Sequence, residues 1–268
     1  MRLLPLLLTY LMPLAKSHLV GEPLAKPQLL YDPLLGKRNF EITAATYCSN
    51  LAEWNCVHCV PNIEVYDTII GDTNIAILGD KEQNATVFAF RGSSDIANWI
   101  SNFEVLFTEP YADKSIKVHK GLHAEYMLYK DILVQYLDKN ENIVITGHSS
   151  GAAVGTFFAY DIYKTHKVKV FSYGKPRIGN DAFALSASQI EHFRITHAND
   201  IVPHIPEEVL GYRHTNTEVW YPKDDGQQFR VCTDNEDKSC SNSCAPLRCV
   251  SVEDHLHYMG EGIGLTAC

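Results

Sequence analysis

The stretch NIVITGHSSGAAVG, residues 142–155, constrains the chain most. A β-branched, apolar run passes without a break into a row of small residues. The first part reads as a buried strand and the second as a closely packed helix. Gly147 and Gly151 flank Ser149, as a sharp strand-to-helix turn with no room for side chains requires. A lone Gly-x-Ser-x-Gly also fits a plain helix cap at Ser149, so the rest of the chain has to discriminate.

The surrounding segments alternate in the same way. ATVFAF (85–90) reads as a buried strand. In 121–140, Leu122, Tyr126, Tyr129, Leu133, Tyr136 and Leu137 recur at helical spacing. A small-residue helix is expected over 151–166, a strand over 167–173, a helix over 181–190 and a strand over 192–198. Strands alternating with helices mean βαβ units and a mostly parallel sheet, here in one α/β domain. In such sheets sites gather beyond the carboxyl ends of the strands, which is where Ser149 falls.

A serine hydroxyl attacks only when a base takes its proton. In a strand–turn–helix nucleophile site the acid and then the histidine follow the serine in chain order. Asp200 suits the acid, because HFRITHAND is a strand opening at once into a loop. Asp161 is mid-helix, and Asp224, Asp225 and Asp237 lie in polar turns; these read as solvated charges. The histidines beyond the acid are His204, His214, His255 and His257, and pattern alone leaves them open. The tetrahedral oxyanion needs aimed N–H donors. One is expected at Ser150, and another on the Arg91-Gly92-Ser93 loop after ATVFAF. Just beyond, Ile96, Trp99, Ile100 and Phe103 form an apolar stripe on a short helix, read as a mobile lid rather than as core.

The outer features bear on compartment and partners. A net charge of −9 argues against a nucleic-acid partner, since phosphate binding needs a basic face. MRLLPLLLTYLMPLAKS (1–17) has the basic start, apolar run and small-residue cleavage site of a secretory leader. No later stretch is apolar enough to span a membrane, so secretion is expected. Residues 18–38, with Pro23, Pro27 and Pro33, read as a pro-segment or loose arm, and Lys37-Arg38 as a dibasic processing site. The domain proper is then 39–268. Outside the cell, eight cysteines pair into disulfides. Zinc is the rival reading, from Cys56-x-x-Cys59 and the cluster Cys232, Cys240, Cys244 and Cys249. Asn84-Ala85-Thr86 is an N-glycosylation sequon.

FRGSSDIANWI, VHKGL, GHSSG, GKPRIGN, NDIVPHIP and DHLHYMG occur in that order. Together they resemble the fungal class 3 triacylglycerol lipases of the Rhizomucor and Thermomyces type, over roughly residues 40–268. The resemblance implies an α/β-hydrolase fold with a helical lid. It also implies a triad of Ser149, Asp200 and His255, an oxyanion hole at Ser93 and Ser150, and a lid tryptophan at Trp99. The expected partners are acylglycerol and the lipid–water interface, with no cofactor, no metal and a monomeric chain. Disulfides Cys48–Cys268, Cys56–Cys59 and Cys232–Cys240 are implied, which leaves Cys244 and Cys249 as a fourth pair. The expected activity is interfacial triacylglycerol hydrolysis. Phospholipase A1 or feruloyl-type esterase action, or a catalytically silent lipid-binding protein, are the alternatives. The chain departs from the family at Ser150, Ala152 and Met259, where Leu, Gly and Phe are usual.

Overall fold

The computed structural model describes residues 30–268 apart from 216 and 246. The expected leader and residues 18–29 of the expected arm lie outside the described residues.

In chain order, helix α1 (Pro33–Ala45) precedes strands β1 (Ile63–Ile69), β2 (Ile75–Asp80) and β3 (Ala85–Phe90). Helix α2 (Ile96–Ser101), the short strands β4 (Phe107–Thr108) and β5 (Val118–His119), and helix α3 (Lys120–Leu133) follow. The centre alternates through β6 (Asn142–His148), α4 (Ser149–Ile162), β7 (Lys167–Tyr173), α5 (Asp181–Ser186) and β8 (Glu191–His197). Strands β9 (Glu218–Tyr221) and β10 (Arg230–Cys232) come next, and the ribbon β11 (His257–Tyr258) and β12 (Glu261–Gly262) follows.

The main sheet has the order β1-β2-β3-β6-β7-β8-β9-β10. Strands β3, β6, β7, β8 and β9 pair in parallel, and the outer pairs are antiparallel. This is the mostly parallel α/β sheet that the alternation predicts. Successive side chains of β3 point to opposite faces. Phe88 and Phe90 join the core around α3 and α4, while Val87 and Ala89 join the core around α1. Helix α4 is buried nearly all round, so small residues let it lie against the sheet.

Three local expectations change. The helix expected over 121–140 is α-helical only to Leu133; Val134–Lys139 winds more tightly, and Tyr136 donates there to Asp67 at 2.6 Å. The loose arm does not reach residue 38, because α1 begins at Pro33. Asp32 caps that helix by accepting from the N–H groups of Leu34 and Leu35, and Pro33 presets the first helical φ. The expected processing pair lies inside it: Lys37 pairs with Glu41 and Glu261, and Arg38 grips Asp80 at 2.8 and 2.9 Å. Asp161 is not a solvated charge, since the Tyr126 hydroxyl (2.7 Å) and the Lys130 ammonium (2.5 Å) both donate to it.

The cysteines pair as Cys48–Cys268, Cys56–Cys59, Cys232–Cys240 and Cys244–Cys249, so their sulfurs act as bridges rather than metal ligands. Asn84 stands exposed in the turn between β2 and β3. Among the described residues no helix is long and apolar enough to cross a membrane.

Candidate active site

The turn from β6 into α4 is as tight as the sequence suggests. Ser149 has φ +57°, the left-handed region that a side chain enters only at a cost of about 1–3 kcal/mol. A Cβ on Gly151 would lie 2.3 Å from the Arg91 carbonyl oxygen, and one on Gly147 would lie 2.9 Å from the Ala152 nitrogen. The flanking glycines are thus demanded by close approach of backbone on both sides. The cap residue of α4 is His148, not Ser149, and no side chain caps the helix. The first N–H groups of α4, that of Ser150 among them, are therefore left without a side-chain cap.

Asp200 follows β8 in a turn closed by its own N–H onto the His197 carbonyl at 3.0 Å. Its carboxylate accepts from His255 Nδ1–H at 2.8 and 3.0 Å, from Val202 N–H at 2.8 Å and from the Tyr258 hydroxyl. His255 comes from far along the chain, in a turn held to the acid loop by bridging of Asp200 with Ser251. With its Nδ1–H donating to Asp200, His255 leaves Nε2 free to accept. That Nε2 and Ser149 Oγ are both buried, and neither has a hydrogen-bond partner among the described residues.

The other histidines go elsewhere. His214 donates to the Pro203 carbonyl at 2.7 Å, His257 to the Glu253 carbonyl at 3.1 Å, and His204 Nε2 lies 3.6 Å from the Cys244 sulfur. Burial, with Arg177 nearby, lowers His204 to about 4. Only His255 of the four meets Asp200.

Sequence reasoning missed Tyr47, His148 and Tyr258. Tyr47, just past α1, accepts from Gly92 N–H at 3.0 Å and donates to His148 Nδ1 at 2.7 Å. His148 Nε2–H then donates to the His255 carbonyl at 2.9 Å, with the two rings 4.5 Å apart. Burial, reinforced by the neighbouring His255, holds His148 well below the ordinary imidazole value, so it stays neutral. One chain of hydrogen bonds thus ties the Arg91–Ser93 loop, the serine turn and the histidine turn together. Burial and the adjacent Asp200 hold the Tyr258 hydroxyl well above its usual value, so it remains a donor. Only the Asp32-Pro33 start signal of α1 could have pointed to a helix that delivers Tyr47.

Helix α2 follows directly on the Arg91–Ser93 loop, and its Trp99 packs with Phe103 against the core around α3 and α4. Asp95 caps it by accepting from Asn98 N–H at 3.0 Å. The Ser93 hydroxyl donates to the Asp95 carbonyl (3.2 Å) and accepts from its N–H (3.3 Å), so it is engaged with the cap of the helix. Ile96, Trp99 and Ile100 are half-buried, and Trp99 packs on Phe103 at 4.5 Å. Phe103 stacks on His119, also at 4.5 Å. A groove of about 500 Å³ is lined by Ser93, Trp99, Phe103, His119 and Glu125 among others, and by none of Ser149, Asp200 and His255. Ser149 is only 1% exposed. Away from it, Glu41, His58 and Glu261 converge, but Lys37 bridges both carboxylates.

The model of the Lipase (class 3) family matches residues 87–210. A lipase of Rhizomucor miehei is 32% identical over 84% of this chain and 68% of its own length. The secreted mono- and diacylglycerol lipase A of Penicillium cyclopium is 32% identical over 64% of this chain and 59% of its own. The solved structure of Rhizomucor miehei triacylglyceride lipase superposes with a TM-score of 0.79 at 30% identity, covering 87% of this chain and 96% of that one.

Proposed function

The chain belongs to the class 3 lipase family, and from that premise we propose that it is a secreted triacylglycerol lipase working at the lipid–water interface. The fold is the α/β-hydrolase fold. In this reading His255 Nε2 takes the proton of Ser149 as its oxygen attacks the ester carbonyl. Asp200 orients the ring and stabilises the imidazolium. The N–H groups of Ser150 and Ser93 receive the oxyanion, each worth about 3–4 kcal/mol at the transition state. His255 returns the proton to the leaving alcohol. Water then attacks the acyl-enzyme by the same route and releases the fatty acid.

The observation that supports the reading is a buried, strained Ser149 whose hydroxyl is unpartnered, together with a buried, unpartnered Nε2 on the one histidine that meets Asp200. Both groups are out of reach of substrate until α2 moves. An apolar lipid surface that receives Ile96, Trp99, Ile100 and Phe103 supplies the driving force for that movement. Movement of α2 would also free the Ser93 hydroxyl from Asp95. The apolar stripe favours a lipase over a feruloyl-type esterase.

Ser149→Ala is expected to cut hydrolysis of p-nitrophenyl butyrate by about a thousandfold or more, because the residual donors act without a nucleophile. Equal rates in variant and parent would refute the enzymatic reading. A rate jump is expected when tributyrin passes its solubility limit, and a smooth saturation curve would leave a plain esterase.

A further inference from the structure

Asp200 sits on a loop whose backbone is held by a side chain that takes no part in the chemistry above. Arg177, in the segment between β7 and α5, is only 2% exposed. Its Nη1 donates to the carbonyls of His204 and Pro206 at 2.8 and 3.0 Å. Its own backbone N–H donates to the Ile205 carbonyl at 2.9 Å. Nε and Nη2 grip the two carboxylate oxygens of Glu236 at 3.0 and 2.8 Å. We infer that Arg177 and Glu236 form a clamp that aims Asp200 at His255, which makes them positioning residues for the triad. The inference rests on the lipase reading above and adds to it what fixes the acid.

Glu236, on the loop closed by the Cys232–Cys240 disulfide, adds a second grip. It accepts from the His214 N–H at 2.8 Å, and His214 Nε2–H donates to the Pro203 carbonyl at 2.7 Å. The successive carbonyls of Pro203, His204, Ile205 and Pro206 thus all accept from Arg177 or His214. The grip reaches Asp200 through one tight turn. His204 N–H donates to the Ile201 carbonyl at 3.0 Å, and Ile205 N–H to the Val202 carbonyl at 3.2 Å. Val202 N–H donates in turn to Asp200 Oδ1 at 2.8 Å. Displacing the clamped carbonyls therefore moves a donor of Asp200 itself.

The side chains chosen suit positioning better than stability. A buried ion pair adds little net stability over apolar residues of the same volume, because both charges lose their water. What the planar guanidinium supplies is direction, since its rigid fork meets a carboxylate with two donors and still has others for the loop. A lysine ammonium offers no such fork. Burial alone would raise the Glu236 carboxyl, but its bonds to Arg177 hold it below the usual carboxylate range, so the pair stays charged.

In Arg177→Lys the charge stays and the fork is lost. On p-nitrophenyl butyrate, kcat is expected to fall about ten- to a hundredfold with KM little changed, because the acid is displaced rather than the substrate site. In proton NMR, the downfield resonance of His255 Nδ1–H, which reports its bond to Asp200, is expected to move upfield and broaden. Glu236→Gln, which keeps an acceptor for the His214 N–H, should move both readouts the same way, and it carries the test if Arg177→Lys does not fold. Arg38→Lys is the matched control, because Arg38 grips Asp80 with the same fork and β3, β6 and β7 lie between β2 and β8. It is expected to lower Tm while kcat and the resonance stay as in the parent. A resonance unmoved in both Arg177→Lys and Glu236→Gln would overturn the clamp, as would equal losses in Arg38→Lys. The resonance needs no turnover. Its loss in the variants of a chain that cleaves no ester brings down the lipase reading alone, whereas hydrolysis by the parent with the resonance unmoved in the variants brings down the clamp alone.

Discussion

Tyr258 and Val202 share Asp200 with His255, and that sharing sets how firmly the acid holds the imidazole. Removing the hydroxyl in Tyr258→Phe leaves the carboxylate with His255 and Val202 as its donors among the described residues. A hydrogen bond to a charged group is worth about 1.5–3 kcal/mol, so kcat on p-nitrophenyl butyrate should fall at least about tenfold with KM little changed. An unaltered kcat would show that the remaining two donors suffice. At this scale the serine and its acid were legible, since chain order and a strand end single them out. Local pattern did not separate His255 from His257, since two histidines two residues apart differ only in which one the turn aims at Asp200; the family resemblance pointed to His255. Tyr47 was invisible for a stronger reason: its partner His148 lies 101 positions away, and no local pattern encodes that contact.

Helix α2 is too short to hold itself together in water, so its closed position depends on the cap at Asp95 and on what its rings touch. Phe103 stacked on His119 is the clearest of those contacts. Phe103→Ala removes it, and an aromatic pair of about 1 kcal/mol corresponds to roughly a fivefold shift toward the open form. Activity on a monomeric soluble ester should rise by about that factor, while the jump at the solubility limit shrinks. A fall in monomer activity with the jump intact would mean that Phe103 does not hold the lid. The stripe itself was readable from spacing. That Trp99 and Phe103 pack against the core around α3 and α4 was not, because an amphipathic helix reads the same whether it faces a core or a site. Helix α1 went unread despite its Asp32-Pro33 start, since the prolines around it suggested a loose segment. The outer strands β1, β2, β9 and β10 lie outside the alternation that revealed the centre of the sheet.

Across the whole molecule, folding buries several histidines in the neutral form. Burial holds His148, His192 and His214 well below the ordinary imidazole value and lowers His204 to about 4. In the unfolded chain each takes up a proton near pH 6.5. Their folded pKa values are depressed, so the unfolded state binds more protons as pH falls below about 6.5, and stability is lost in that direction. The slope reaches about 1.4 kcal/mol per pH unit for each such group. Tm should therefore drop steeply between pH 6.5 and 4.5, and calorimetry giving equal values at pH 7.5 and 5.0 would contradict this. By itself the sequence determined the alternating core, the sharp turn at Ser149 and the acid that follows a strand end. These rest on periodicity and on the order of residues along the chain, which are local properties. Only the tertiary structure showed that the turn carrying His255 reaches Asp200, that Tyr47 and His148 brace the site, and that Ser149 lies buried. Those contacts join segments distant in the chain, and packing, rather than any local pattern, brings them together.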